Sequence, residues 1–224
     1  MISQFHRVAV TQGMPRCSYQ FGSDDTLSVS ALELIGAQRS VFRRDYGFVV
    51  ASNEMLTVLT KMLHTKSVLD AGSGSGWLSA ALRVRGVDIL ACDRVDYRLD
   101  DERFLAKGLP LYPVYQLDHE GDAADLLPGK FDAVLLVWPN VWSDFAERVI
   151  DAMAEGQMLI FNGEERRGSC ATSEFFESRD KMFDRLPVYD RMLNKYHVSF
   201  PLTYDKWWVG VKRKGRVALA GELQ

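Results

Sequence analysis

The stretch Val68-Leu69-Asp70-Ala71-Gly72-Ser73-Gly74-Ser75-Gly76-Trp77 constrains this chain more than any other. The apolar run Ser67 to Ala71 reads as a buried strand, and a helical pattern from about Ser75 to Arg85 follows it. Glycines at positions 72, 74 and 76 permit a tight turn at positive φ and let the backbone approach a ligand that a Cβ would exclude. The spacing is Gly-x-Gly-x-Gly. Trp77 stands where a dinucleotide-binding turn would have its last glycine, and no Gly-Lys-Ser/Thr follows to make a phosphate loop.

The rest of the chain repeats this alternation. A helix is expected over Asn53 to His64, capped by Ser52 or Asn53, with Met55, Leu56, Val58, Leu59, Met62 and Leu63 on one face. Further strands are expected at Val87 to Cys92, Tyr112 to Leu117, Phe131 to Trp138 and Gln157 to Asn162. Helices are expected at about Asp100 to Lys107, Trp142 to Ala154 and Thr172 to Arg185. Two strand-like segments, Arg191 to Phe200 and Lys206 to Lys212, follow without a helix between them and would form an antiparallel pair turning near Pro201 to Asp205. Alternating strands and helices imply parallel strands, right-handed crossovers and helices on both faces of the sheet. In such sheets ligands bind at the carboxyl ends of the strands.

Composition narrows the setting. The 224 residues are 47% apolar and 25% charged, enough for one large core without disulfides or metal. Cys17, Cys92 and Cys170 are scattered, with no Cys-x-x-Cys pair, and no histidine pair has metal-ligand spacing, so no metal is expected. A net charge of −3 disfavours non-specific grip on nucleic acid or an anionic membrane. The N-terminal residues lack a signal-peptide pattern, and the longest apolar run, Ala133 to Pro139, is far below the roughly 20 residues of a membrane helix. A cytoplasmic protein is expected.

The acids beside the glycines specify the ligand. Asp70, before the first glycine, would repel a pyrophosphate but suits an ammonium group, and Asp93, ending the second strand, is placed for both hydroxyls of an unphosphorylated ribose. An adenosine joined to a cationic amino acid meets both demands: S-adenosylmethionine. The segment resembles motif I of the class I S-adenosylmethionine-dependent methyltransferases over roughly residues 45 to 213. The resemblance implies an α/β, Rossmann-like fold with a seven-stranded, mostly parallel sheet, helices on both faces and an antiparallel C-terminal strand pair. It implies that Asp70, Gly72 and Gly74 line the methionine side, within a cofactor turn that includes Gly76 and Trp77, and that Asp93 binds ribose. Asp118, with His119 beside it, would meet the adenine amino group, Asp122 competing for that place. Tyr46 and Phe48 would fold over the cofactor or pack as core.

For the acceptor side, the fourth strand ends in Val137-Trp138-Pro139-Asn140, similar to the Pro-Pro-aromatic signature of amino-group methyltransferases. The chain is also similar to a poorly characterised methyltransferase-like group with a Trp-Pro-Pro-Tyr motif there. That group's other segments match Tyr46-Gly47-Phe48 and Gly163-Glu164…Gly168-Ser169-Cys170…Phe175-Phe176; Asn140 and Val141 depart from it. Trp138, Pro139, Asn140 and Glu164 are the candidate catalytic residues. Pro139 and Asn140 offer a carbonyl and an amide to an acceptor nitrogen, Asn140 being equally suited to cap the following helix. Glu164 is placed as a general base or as the counter-charge for a cationic acceptor. One of Trp207 and Trp208 is expected in the core and the other near the acceptor. Lys212, Arg213, Lys214 and Arg216 read as a solvated tail or a phosphate contact.

The expectation is an S-adenosylmethionine-dependent methyltransferase domain over residues 46–224, acting on a nitrogen or oxygen acceptor. A small molecule is favoured over nucleic acid or protein, and residues 1–45 form an extension serving as a lid or in self-association. The alternatives are a non-catalytic cofactor-binding module and a nucleotide-dependent oxidoreductase.

Overall fold

The computed structural model describes residues 39, 42, 47–94, 117–127, 130–166, 168–200 and 203–214. Along the chain lie α1 (Asn53–Leu63), β1 (Ser67–Ala71), α2 (Trp77–Arg83), β2 (Asp88–Asp93), β3 (His119–Glu120), a 3-10 turn (Ala123–Leu126), β4 (Ala133–Val137), α3 (Phe145–Ala152), β5 (Met158–Glu164), α4 (Ser173–Met182), β6 (Phe183–Arg185), α5 (Pro187–Asn194) and β7 (Asp205–Lys212). They form a seven-stranded sheet in the order β3-β2-β1-β4-β5-β7-β6. The first five strands are parallel, and β7 runs antiparallel to both β5 and β6.

Side-chain alternation divides the core into two layers. Leu135 and Ile160 join Met55, Leu59, Leu63 and Leu82 against α1 and α2, while Val134, Leu136 and Phe161 join Val149, Phe175 and Phe176 against α3 and α4. The α1 helix starts as its sequence demands: Ser52 Oγ accepts the Met55 N–H at 3.1 Å, and the six expected apolar positions are buried.

Two expectations are corrected. Arg191 to Phe200 is not a strand: Arg191–Asn194 is the last turn of α5, started by Pro187 and burying Leu193 against the α1 layer. The antiparallel partner of β7 is β6 instead, a three-residue strand emerging from the end of α4, whose Phe183 packs edge-on to Trp208. Because β6 pairs only with Gly210 to Lys212, the edge of β7 at Trp207 to Val209 needs other partners. α5 supplies them through side chains: Asp190 Oδ1 accepts the Val209 N–H at 2.6 Å, and Asn194 accepts the Trp207 N–H at 2.9 Å while donating to its carbonyl at 2.8 Å. The side-chain amide thus completes the ladder as a strand would.

The third described strand begins after Asp118, whereas the sequence placed it before that residue. The rest of the expected Tyr112 to Leu117 strand, the Asp100 to Lys107 helix, and residues 1–45 apart from 39 and 42 lie outside the described residues.

Candidate functional site

β1 is flanked by β2 on one side and β4 on the other, so successive crossovers leave it in opposite directions and open a crevice at its carboxyl end. The glycine turn sits there. Gly72, Gly74 and Gly76 adopt φ of 72°, 57° and 73°, the left-handed values the spacing implied. Gly72 and Ser73 donate their N–H groups to the Cys92 carbonyl at 2.9 and 3.0 Å, tying the turn to β2. A Cβ on Gly72 would come 3.0 Å from Phe145 Cε1, whereas one on Gly74 would meet nothing within 4 Å. The first glycine is therefore needed for packing against α3, and the second fronts open space.

Asp93, at the end of β2, accepts the Gly74 N–H at 2.5 Å through Oδ2 and the Arg94 N–H at 2.7 Å through Oδ1. Asp70 is buried in β1 and accepts the Ser79 hydroxyl at 2.6 Å. Burial pushes its carboxyl up to about 7; the Ser79 hydrogen bond opposes this, the Asp93 charge adds to it, and Arg83 opposes it. The same acids act on the Cys92 thiol, which burial and the charges of Asp93, Asp122, Asp70 and Asp125 raise to about 12. Two acids, Asp70 and Asp93, thus stand close enough at this end of the sheet for the charge of one to be felt by the other.

Asp118 and His119, expected on the adenine side, have partners of their own. Asp118 pairs with Arg83 and accepts the Ala91 N–H at 2.7 Å, which fastens it beside β2 below the level of Asp93. His119 lies within β3 opposite Cys92. The residues that follow β3 at the crevice are Gly121, whose N–H donates to the Asp93 carbonyl at 3.0 Å, and Asp122. Asp122 caps the 3-10 turn and pairs with Arg148; burial would raise its pKa, but those contacts hold it below the usual carboxylate range. Trp77, expected in the cofactor turn, is the first residue of α2 and is 1% exposed, within the core layer of α1 and α2. Tyr46 lies outside the described residues.

On the acceptor side, Trp138 takes φ of 50°, a left-handed conformation costly for a bulky residue, and donates its backbone N–H to the Asn162 carbonyl at 2.7 Å. Pro139 is buried and its carbonyl accepts the Ala171 N–H at 3.0 Å, Ala171 being, among the described residues, the other non-glycine one at positive φ. Asn140 is exposed and bridges Cys170; its Oδ1 accepts the Trp142 N–H at 2.8 Å, so it shapes a turn ahead of α3. Glu164 spends one oxygen on the Ser169 N–H at 2.8 Å and the other on the Tyr204 N–H at 3.2 Å, clasping the loops after β5 and before β7. Trp142 and Tyr204, 89% and 77% exposed, stand on this rim.

Trp207 and Trp208 are both core, on opposite faces. Lys212 donates to the carbonyls of Ile150, Asp151 and Met153, capping α3, and Arg213 pairs with Asp184. Neither is left for a phosphate.

Sequence reasoning missed Asp205 and His197. Asp205 opens β7 opposite Glu164 and is 4% exposed. His197 Nε2 lies 3.0 Å from its Oδ2, and the Trp138 indole N–H donates to the same oxygen at 3.4 Å. Burial would raise the pKa of Asp205, yet His197, Ser199 and Trp138 hold it below the ordinary carboxylate range. No sequence motif joins these residues; the antiparallel turn of β7 brings them together.

No family model matches the chain, and no curated relative does. Among solved structures, the chain is similar to magnesium protoporphyrin IX methyltransferase (ChlM) from Synechocystis PCC 6803 with bound SAM. Identity is 16% and the TM-score 0.46, over 94% of this chain and 96% of that one. It is also similar to human N-acetylserotonin methyltransferase in complex with SAM, at 17% identity and TM-score 0.42, covering 82% of this chain and 56% of that one. TehB from Haemophilus influenzae matches at 14% identity and TM-score 0.43, over 78% of this chain and 67% of that one. The chain thus spans a little over half of the human enzyme and two thirds of TehB.

Proposed function

We propose that this chain is an S-adenosylmethionine-dependent methyltransferase acting on a nitrogen or oxygen acceptor. One observation carries the reading: the left-handed turn at Gly72 and Gly74, open at Gly74 and hydrogen-bonded to Asp93, sits at the switch point of the sheet. The fit to the cofactor rests on charge and space. Asp70 is a buried carboxylate that lacks a full counter-charge, which the ammonium of the cofactor's amino acid end supplies. Asp93 is oriented by two backbone N–H groups at the end of β2, the strand end where the ribose hydroxyls would lie. Asp122, rather than Asp118, stands at the strand end for adenine.

S-adenosylmethionine supplies an electrophilic methyl group on a sulfonium. The residues of this chain have three tasks: to align the acceptor in line, exclude water, and receive a proton where the acceptor loses one. The Pro139 carbonyl is committed to Ala171, which holds the loop after β4 rigid, and the Asn140 side chain keeps its amide N–H groups for an acceptor. Glu164 serves first as a clasp; a base role requires it to accept a proton on an oxygen that already accepts a backbone N–H.

Calorimetry with S-adenosylhomocysteine tests the reading, with NAD as the comparison. Binding of the former and none of the latter is expected. Tight NAD binding with no response to S-adenosylhomocysteine overturns it in favour of the oxidoreductase alternative. Binding without any transfer of labelled methyl into a cell extract leaves the non-catalytic module.

A further inference from the structure

The buried polar cluster behind the loop after β4 is absorbed by none of the roles above. Its hydrogen-bond directions can be assigned. The Trp207 indole Nε1 is a donor only, and it lies 3.1 Å from His197 Nδ1, so that nitrogen accepts. The imidazole proton is then on Nε2, which faces Asp205 Oδ2 at 3.0 Å and the Ser199 hydroxyl at 3.2 Å. A one-way chain results: Trp207 donates to His197, and His197 donates to Asp205. The Thr203 hydroxyl lies 3.2 Å from the other oxygen, Oδ1. The remaining approach to Oδ2 is filled by the Trp138 indole N–H.

Trp138 is held on its other sides as well. Phe48 stacks on it at 5.5 Å between centroids with a 23° interplanar angle, and the Arg39 guanidinium lies 5.3 Å from the ring centre. With these neighbours the ring is a wall and not a free stacking platform. Its backbone is left-handed, so without anchors the loop would relax toward an ordinary conformation.

We infer that Asp205, backed by His197 and Trp207, is the positioning residue that fixes Trp138 and with it the Trp138-Pro139-Asn140 backbone that meets the methyl acceptor. The inference rests on the methyltransferase reading. It makes Trp138 a positioning residue too, and it explains why a carboxylate is buried at the start of β7.

The test compares Asp205→Leu, Asp205→Asn and Trp138→Phe by ¹H–¹⁵N spectra of the indole groups. Trp138→Phe identifies the Trp138 resonance by its loss. In Asp205→Leu that resonance is expected to move toward the position of an unbonded indole. Asp205→Asn, which keeps an acceptor oxygen, should restore most of the wild-type position. Transfer of labelled methyl to extract should fall at least about tenfold in Asp205→Leu and in Trp138→Phe, whereas affinity for S-adenosylhomocysteine changes less than about threefold. An unmoved indole resonance in Asp205→Leu overturns the inference, as does wild-type transfer in Trp138→Phe, which keeps an aromatic ring but not the indole donor. Failure of the wild-type protein to bind S-adenosylhomocysteine overturns the methyltransferase reading instead. If Asp205→Leu does not fold, Trp138→Phe and Asp205→Asn decide the matter.

Discussion

Asp93 Oδ2 accepts the backbone N–H of Gly74 at 2.5 Å, so the acid at the end of β2 holds the turn that ends β1. The two features read separately from the sequence are one mechanical unit. Disturbing either alters the other, and variants in the turn have to be judged by binding and by stability together.

Gly74→Ala separates these effects. At φ of 57° an alanine costs about 1–2 kcal/mol of backbone energy, although its methyl group meets nothing within 4 Å. That methyl enters the space proposed for the cofactor. A modest fall in melting temperature is expected, together with a loss of S-adenosylhomocysteine affinity of at least about tenfold. Lower stability with undiminished affinity would place the ligand elsewhere.

Asp70 predicts a pH dependence whose sign follows from its burial. Its carboxyl is raised from 3.8 to about 7 on folding, so its contribution to stability is complete below the unfolded value and is lost as pH rises through the folded one. The free protein should lose stability from this group between about pH 4 and pH 7, and Asp70→Asn should flatten that slope. A bound ammonium favours the ionised carboxylate, so affinity for S-adenosylhomocysteine should rise with pH through about 7 and then level off. Parallel melting curves against pH for both proteins would refute the assignment.

Asp118 and Asp122 are distinguished by the end of β3 that each occupies. Asp118→Ala removes the Arg83 pair and the partner of the Ala91 N–H and should lower stability while leaving cofactor affinity within about twofold. Asp122→Ala should weaken binding by several-fold, of order 1–2 kcal/mol for the lost hydrogen bonding. Calorimetry on both variants checks this, and a reversed order would restore Asp118 to the adenine side.

Asn194→Ala tests the side-chain completion of β7. It leaves the Trp207 N–H and carbonyl without partners, at about 2–3 kcal/mol, or roughly 5–10 °C in melting temperature. Asn194→Asp, keeping the acceptor only, should fall between. A melting temperature unchanged in Asn194→Ala would show that water or a neighbouring group satisfies the edge.

Most of the parallel half of the sheet was legible because its signals are local. Ala133 to Val137 is a continuous apolar run, Val68 to Ala71 is interrupted only by Asp70, and the glycines between β1 and α2 follow from the backbone they must adopt. The C-terminal half was less legible for the opposite reason. Phe183-Asp184-Arg185 is too short to show a period, and α5 buries Leu193 and Asp190, a polar residue whose partner is a distant backbone N–H. In the site, Asp93 and Gly74 sit at places their neighbours in sequence announce. Trp77 read as part of the turn because the sequence does not say which way an indole points. Asp205 becomes a neighbour of Trp138 only through strand pairing across 67 residues, and His197 reaches Trp138 only through Asp205, which no pattern along the chain records.

The insertion of β7 between β5 and β6 has a consequence for synthesis. A ribosome delivers β5 and β6 well before residues 205–212, so both strands wait with bare edges until β7 emerges. The glycine turn and its acids can assemble early, but the Asp205 side of the site cannot. A nascent chain should therefore complete the turn proposed to hold a cofactor before it completes the wall proposed to orient an acceptor, and chains cut short of β7 should aggregate through those edges.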